Sequence, residues 1–402
     1  MPFFNHSMAQ SMRKISPYST GPSPDKVGER VLNQRLIRSM PGITANGRTI
    51  ITRETDPTIV AKYTQKMSLR KLMFTRSLLK SQIEQLNNQN TSISTESSPG
   101  LFDSYQIEKT QKIYERNGLE MYFARSKTSP EFSMMACIYA KNQLPSNNQF
   151  YLKILRHLGR KHPYIVNIWE IFHTNDTIII FQEYVSQGNL LTYLENNEIE
   201  ERQVCFWAKQ IFRALDFLGD NGIVHRDITP THLLIKPMGN EVWVKLTGFK
   251  RSMIYWNIDE NDVNLCECLP IEQQKIDGPN FQAPEVYGNA GECFDPIIAD
   301  IWSYGANLFF CLAKYYPFNV EQPHSDLDEE IWQNIRSETK LSMECQNFLF
   351  GLLRANANDR IPFDFIDHDE WIRKSYRLAL HDIVRGPCKH LEKVKINQKV
   401  VA

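Results

Sequence analysis

The order of elements along this chain predicts an α+β fold, with strands first and helices after. Three observations carry that expectation. Between 120 and 183, four apolar segments of strand length are separated by turn-forming residues. Beyond 200, Val204, Trp207, Ile211, Leu215 and Leu218 recur three and four residues apart, which is one buried face of a helix. The 402 residues, 42% hydrophobic and 23% charged, suit an ordinary globular protein with room for a sizeable domain plus an extension.

Residues 1–57 are rich in Ser, Pro, Gly, Asn and Arg without sustained periodicity, so disorder is expected there. In 58–87, Val60, Tyr63, Met67, Phe74 and Leu78 recur at roughly helical spacing. Lys62, Lys66, Arg70, Lys71, Arg76 and Lys80 lie between them, which makes a basic amphipathic helix. Residues 88–100 form a linker of Asn, Ser, Thr, Gly and Pro. Segments 120–125 and 134–140 read as strands around the turn Ser126-Lys127-Thr128-Ser129-Pro130, and 150–158 reads as a helix. Segments 165–172 and 177–183 pair around Asn175-Asp176, and 190–194 begins another helix. A hairpin turns through Met238-Gly239-Asn240, and helices follow to about 376.

The 46 basic and 46 acidic residues cancel, but unevenly. Residues 1–100 hold fourteen Lys/Arg against six Asp/Glu, so a basic arm precedes an acidic body. A solvated arm is the favoured reading over one that grips a membrane surface, an acidic partner or the chain's own body. Cys137, Cys205 and Cys311 fall in apolar segments, the usage of free thiols in a reducing compartment. Cys266 and Cys268 form a pair with no second pair beside it, so no metal site is expected there. The first residues lack the pattern of a signal peptide, and no run of about 18 apolar residues occurs. A cytoplasmic protein without a transmembrane segment and without a nucleic-acid partner is expected.

The most informative stretch is Ile223-Val224-His225-Arg226-Asp227-Ile228-Thr229-Pro230-Thr231-His232-Leu233-Leu234. Ala283-Pro284-Glu285, Asp300-Ile301-Trp302-Ser303-Tyr304-Gly305, Tyr316-Pro317-Phe318 and Asn358-Asp359-Arg360-Ile361 follow it in that order. Together these motifs resemble those of a eukaryotic protein kinase domain over 104–374, about two thirds of the chain. The run from Glu183 to Leu191 and Asn142-Gln143-Leu144-Pro145 are similar to calmodulin-kinase-like and testis-specific serine kinases of the Ser/Thr type. The resemblance implies a bilobal fold, with a β-rich lobe over 104–183 and a helical lobe over 184–374. Residues 1–103 would be a largely disordered basic extension and 375–402 a basic tail.

The resemblance also assigns roles, and several are filled by unsuitable residues. Aligned from Phe123-Ala124-Arg125, the three phosphate-loop glycines become Tyr114, Arg116 and Leu119, so a plain hairpin is expected. Met135-Ala136-Cys137-Ile138 aligns with the third-strand motif, which puts Ile138 at the phosphate-binding lysine; Lys141 lies three residues on. The lysine's glutamate partner falls at Tyr151, or second at Lys153, and no acid occurs between Glu131 and Glu170. Asp227 is the retained acid, read here as a loop brace. Thr229 replaces a lysine, and His232 and Gly248 replace the two metal ligands. Gly278 stands where an activation-segment threonine would meet Asp227. Met121, Ala136, Gln182, Leu233 and Leu234 would line the adenine space. His225, Phe249, Ile168 and Leu155 would form an internal stack, Glu285 and Arg360 an ion pair, and Asp300 a brace for the loop at Arg226. Asp259, Glu260 and Asp262 could pair with Arg226, although a solvated acidic loop is favoured.

The expected function is therefore that of a pseudokinase, a scaffold or regulator binding a protein partner such as an active kinase or its substrate. No cofactor is expected on this reading. The alternative is a divergent Ser/Thr kinase using ATP and Mg²⁺, and a third reading makes residues 58–87 a tether to membrane or to a calmodulin-like groove.

Overall fold

The structure is a computed structural model that describes residues 80–88 and most of 104–373. The smaller lobe is a five-stranded antiparallel sheet in the order β1-β2-β3-β5-β4. Its strands are β1 (Tyr105–Arg116), β2 (Leu119–Ser126), β3 (Ser133–Ala140), β4 (Ile168–His173) and β5 (Thr177–Glu183). Helix α2 (Asn148–Leu158) is inserted between β3 and β4. β1 and β2 pair up to Arg116↔Leu119, but the register shifts between Ile107 and Lys112 and again between Lys112 and Tyr114, so the hairpin is less regular than the plain one expected.

The sheet has two different faces. Met121 pairs with Cys137, Phe123 with Met135, Cys137 with Ile180 and Met135 with Gln182. Side chains of directly opposed residues share a face. Met135, Cys137 and Tyr139 accordingly join the main core with Tyr151, Leu155 and Leu158 of α2. Ala124, Met134, Ala136, Ile179 and Phe181 form a separate core on the outer face, with Ile138 packed against it.

The larger lobe is built on α4 (Glu201–Asp220), following a short α3 (Leu190–Asn196) capped by the Asn189 side chain. Val204, Trp207, Ile211, Leu215 and Leu218 of α4 are all buried, as their spacing implies. The hairpin of β6 (Leu233–Met238) and β7 (Glu241–Leu246) closes through Met238↔Glu241. Helices α5 (Pro296–Ala313), α6 (Leu327–Ser337) and α7 (Met343–Leu352) complete the lobe. α5 starts well: Asp295 caps it by accepting from the Ile297 amide at 2.9 Å, and Pro296 occupies the first turn. It is the one described helix long and apolar enough to cross a membrane, and most of it lies inside the lobe.

Residues 80–87 form a helix, α1, that packs onto this body. Leu86 joins the main core, while Ile83 joins Val224, Tyr255 and Trp256 in a smaller one. The remainder of the expected amphipathic helix, 58–79, lies outside the described residues.

Candidate active site

The loop after α4 is held by its backbone. The amides of His225 and Arg226 each donate to one oxygen of Asp300, both at 2.8 Å. Asn307 donates to the Ile228 carbonyl at 2.9 Å, Gln282 to that of Arg226 at 3.3 Å and Ser252 to that of His225 at 3.2 Å. These contacts keep Arg226 at φ 65°, a left-handed conformation uncommon outside glycine. The Asp300 carboxyl is pushed up to about 7 by burial, against the pull of its two amide donors.

His225 is fully buried and its ring meets Phe249 edge-on at 5.1 Å between centroids. Its Nδ1 faces the Asp227 amide at 3.2 Å and its Nε2 the Thr247 carbonyl at 2.9 Å. The first nitrogen must accept and the second must donate, so one neutral tautomer satisfies both. Burial pushes its pKa down to about 3, with His232 adding to the effect. Ile168 and Leu155 belong to the same large core as Phe249.

At the two positions that the resemblance assigns to metal ligands, the chain carries His232 and Gly248. His232 Nδ1 donates to the Asp227 carbonyl at 2.8 Å and lies 3.3 Å from the Thr229 hydroxyl. The carboxylate of Asp227 is 3.6 Å from the same nitrogen. The His232 ring is pressed against Gly248, where an added Cβ would sit 2.4 Å from two ring carbons. Gly248 also has φ +91°, which favours glycine. The two substitutions therefore fit each other: the imidazole fills the space that a side chain at 248 would need. Neither residue offers the oxygen ligands that Mg²⁺ takes. No group of three or more His, Cys, Asp or Glu capable of holding a metal occurs among the described residues.

On the sheet side the structure corrects two positions. Ile138 and Ala136 point to the outer face, away from the cleft, and Cys137 and Met135 point inward in their place. The expected register was one residue out, and a one-residue slip exchanges the faces of a strand. Met121 and Gln182 lie opposite Cys137 and Met135 on the inner face, and so not with Ala136, beside which they were expected. Leu234 is half-buried beside fully buried Leu233. Lys141 lies beyond the end of β3, where its amide donates to the Asp176 carbonyl at 2.9 Å.

Tyr151 is buried on α2, in the same core as Tyr139. Lys153 instead reaches away to the Asn87 carbonyl at 3.0 Å. Burial lifts the Cys137 thiol to about 12, so it stays neutral. The ammonium of Lys250, one residue past Phe249, lies 4.6 Å from the Tyr139 ring centroid. Sequence reading overlooked this lysine, although its place directly after Phe249 was visible.

Where β5 leaves the sheet, Glu183 binds both Lys236 and buried Lys245. Burial opposes its ionisation, but the two lysines outweigh that and hold the carboxylate charged. In the larger lobe Arg360 clasps Glu285 with two bonds, at 2.6 and 2.7 Å. It also donates to the carbonyls of Arg354 and Ile298 and lies 4.9 Å from the Trp302 ring centroid. Arg226 turns its guanidinium toward the Arg251 carbonyl at 3.4 Å. Asp259, Glu260 and Gly278 lie outside the described residues, as do the side-chain surroundings of Asp262.

The protein kinase domain family matches residues 124–372. A rice protein named CBL-interacting protein kinase 33 is 29% identical over 218 residues, covering 54% of this chain and 45% of its own. The CBL-interacting serine/threonine-protein kinase 3 of Arabidopsis thaliana is 27% identical over 218 residues, covering 54% and 46%. Kinase 12 of the same Arabidopsis series is 27% identical over 262 residues, covering 64% and 50%. The chain thus spans about half the length of these curated relatives. The matches overturn the expectation that no cofactor is involved. Protein kinase domains work with ATP and Mg²⁺, and those are the ligands against which this cleft is to be judged. The apolar inner face suits an adenine ring, whereas positions 232 and 248 do not suit the metal.

Proposed function

We propose, for a chain that belongs to the protein kinase family, that it is a catalytically impaired member acting chiefly by binding a protein partner. The partner class is an active kinase or its substrate, and the cytoplasm is the proposed setting. One observation carries the reading: the His232 ring occupies the space of a side chain at Gly248. Phosphoryl transfer is mostly positioning and neutralisation of charge around the transferred group. A loop that has exchanged both metal ligands for a packed imidazole has lost the larger part of that neutralisation. The framework beneath it is retained, through Asp300, Glu285 and Arg360. Buried Cys205, Cys311 and Cys345 support a reducing compartment. Because the chain spans half of its relatives, the partner in their names is not carried over to it.

A second reading has support in Asp227, which is retained on a well-held loop: a divergent Ser/Thr kinase. One experiment separates the two. The full chain is incubated with γ-labelled ATP and either Mg²⁺ or Mn²⁺, with a generic Ser/Thr protein substrate, beside Asp227→Asn. Label incorporation equal in the two proteins, at background, is the expected result. Incorporation that disappears in Asp227→Asn establishes the enzyme and overturns the impaired reading.

A further inference from the structure

The charge handling of the cleft has moved to another element. The inner face of β3 presents Met135, Cys137 and Tyr139, none of them cationic. Helix α2 opposite offers Tyr151 and no acid in its first turn. Into this uncharged corner comes Lys250, from the short turn Phe249–Arg251 that follows β7 and packs against α2. Its ammonium rests over the Tyr139 ring at 4.6 Å, close enough to Cys137 to act on that thiol's ionisation.

Lys250 makes no ion pair with a carboxylate among the described residues. The residue is nonetheless exposed, so a soluble ligand can reach it. Burial of its ammonium lowers its pKa from the usual lysine range, with the nearby Cys137 opposing. A partly desolvated ammonium on a flexible four-carbon stem, held by a ring face alone, favours an anionic ligand. The inner-face side chains Met121, Met135 and Cys137 continue the apolar face of the sheet from Tyr139. An apolar wall with one cation at its end fits a planar base carrying phosphate.

We propose that Lys250 is the phosphate-binding cation of this cleft, taking over from the segment after β7 the role that β3 no longer fills. The ligand class is a nucleoside di- or triphosphate. The proposal rests on family membership and the position of one side chain. It is independent of whether phosphate is transferred.

The test titrates the full chain with ATP, ADP and adenosine, followed by calorimetry and melting temperature, in EDTA and again in Mg²⁺. Wild type is expected to bind ATP more tightly than adenosine, with the difference shrinking at high salt. Lys250→Met keeps the stem over Tyr139 and is expected to weaken ATP about tenfold, or about 1.4 kcal/mol. It should leave adenosine unchanged, and Lys250→Arg should retain most of the ATP affinity. Equal ATP affinity in wild type and Lys250→Met overturns the proposal. So does a wild type that binds ATP no better than adenosine, a result that needs no variant to fold.

Discussion

The cleft and the framework below it have treated their charges in opposite ways. In the larger lobe, Arg360, almost wholly buried, keeps Glu285 in a two-bond clasp, and Asp300 keeps both of its backbone donors. In the cleft, β3 and α2 present Cys137 and Tyr151, and the His232 ring packs against bare Gly248. The difference separates two uses of charge. A buried pair that holds a fold cannot lose one member without stranding the other. Charges that hold a ligand cost the apo fold little when they are replaced by well-packed neutral groups.

The sharpest way to break this contrast is at the clasp. Arg360→Ala and Glu285→Ala should each cost about 3–5 kcal/mol in denaturant unfolding, with Arg360 the larger because it also loses Trp302 and two carbonyls. The double variant should cost little more than Arg360→Ala alone. Additive losses in that cycle would show that the two groups act separately.

Next in size is an attempt to restore the metal ligand. Gly248→Asp places a Cβ against the His232 ring at a left-handed backbone position. Overpacking and backbone strain together predict a loss of about 2–4 kcal/mol. Gly248→Asp combined with His232→Asn should recover much of it in melting temperature, because the smaller amide vacates the space. A double variant as unstable as Gly248→Asp would mean that the fit between these two residues is not what keeps position 248 bare.

A smaller effect belongs to pH. His225 has a folded pKa of about 3, below its unfolded value. Between those values the unfolded chain binds more protons, so this residue's contribution to stability is full above about 6.5 and falls as pH drops. At pH 5.5 the loss should be roughly 1 kcal/mol. It is isolated by comparing wild type with His225→Tyr, since buried Asp300 and Asp369 titrate in the opposite sense. An unchanged acid slope in the variant would show that the His225 ring is not held neutral.

The smallest effect is expected for Asp227→Asn. Its carboxylate makes only a long contact to His232, while its backbone does the bracing. A stability change below about 1 kcal/mol is expected from thermal unfolding. A larger loss would place the carboxylate among the framework charges.

Much of this contrast was legible in the chain. The framework positions sit in short motifs whose order and spacing fix them, so Glu285, Asp300, Arg360, His225 and Phe249 could be named with their roles. The losses at His232 and Gly248 could be named for the same reason. Their contact could not, because it joins residues sixteen apart across a hairpin. The register of β3 was not legible. Ser133–Ala140 is apolar or small on both faces, so alternation could not say whether Ile138 or Cys137 turns inward. Lys250 was missed for a related reason: the sequence shows a lysine after Phe249 but not that its stem reaches the Tyr139 ring. The helix at 80–87 falls inside the segment read as helical, but the apolar residues that carried that reading end at Leu78, so Ile83 and Leu86 and what they meet were not foreseen.

That helix bears on how the protein can be handled. Ile83 covers Tyr255 and Trp256, Leu86 is fully buried, and the Asn87 carbonyl takes a bond from Lys153 on α2. A fragment cut at 124, where the family match begins, would discard these side chains together with the whole of β1. It would leave two large aromatic rings and an open sheet edge facing water, the ingredients of aggregation. The shortest soluble piece of this chain should therefore start ahead of residue 80, well before the family match begins.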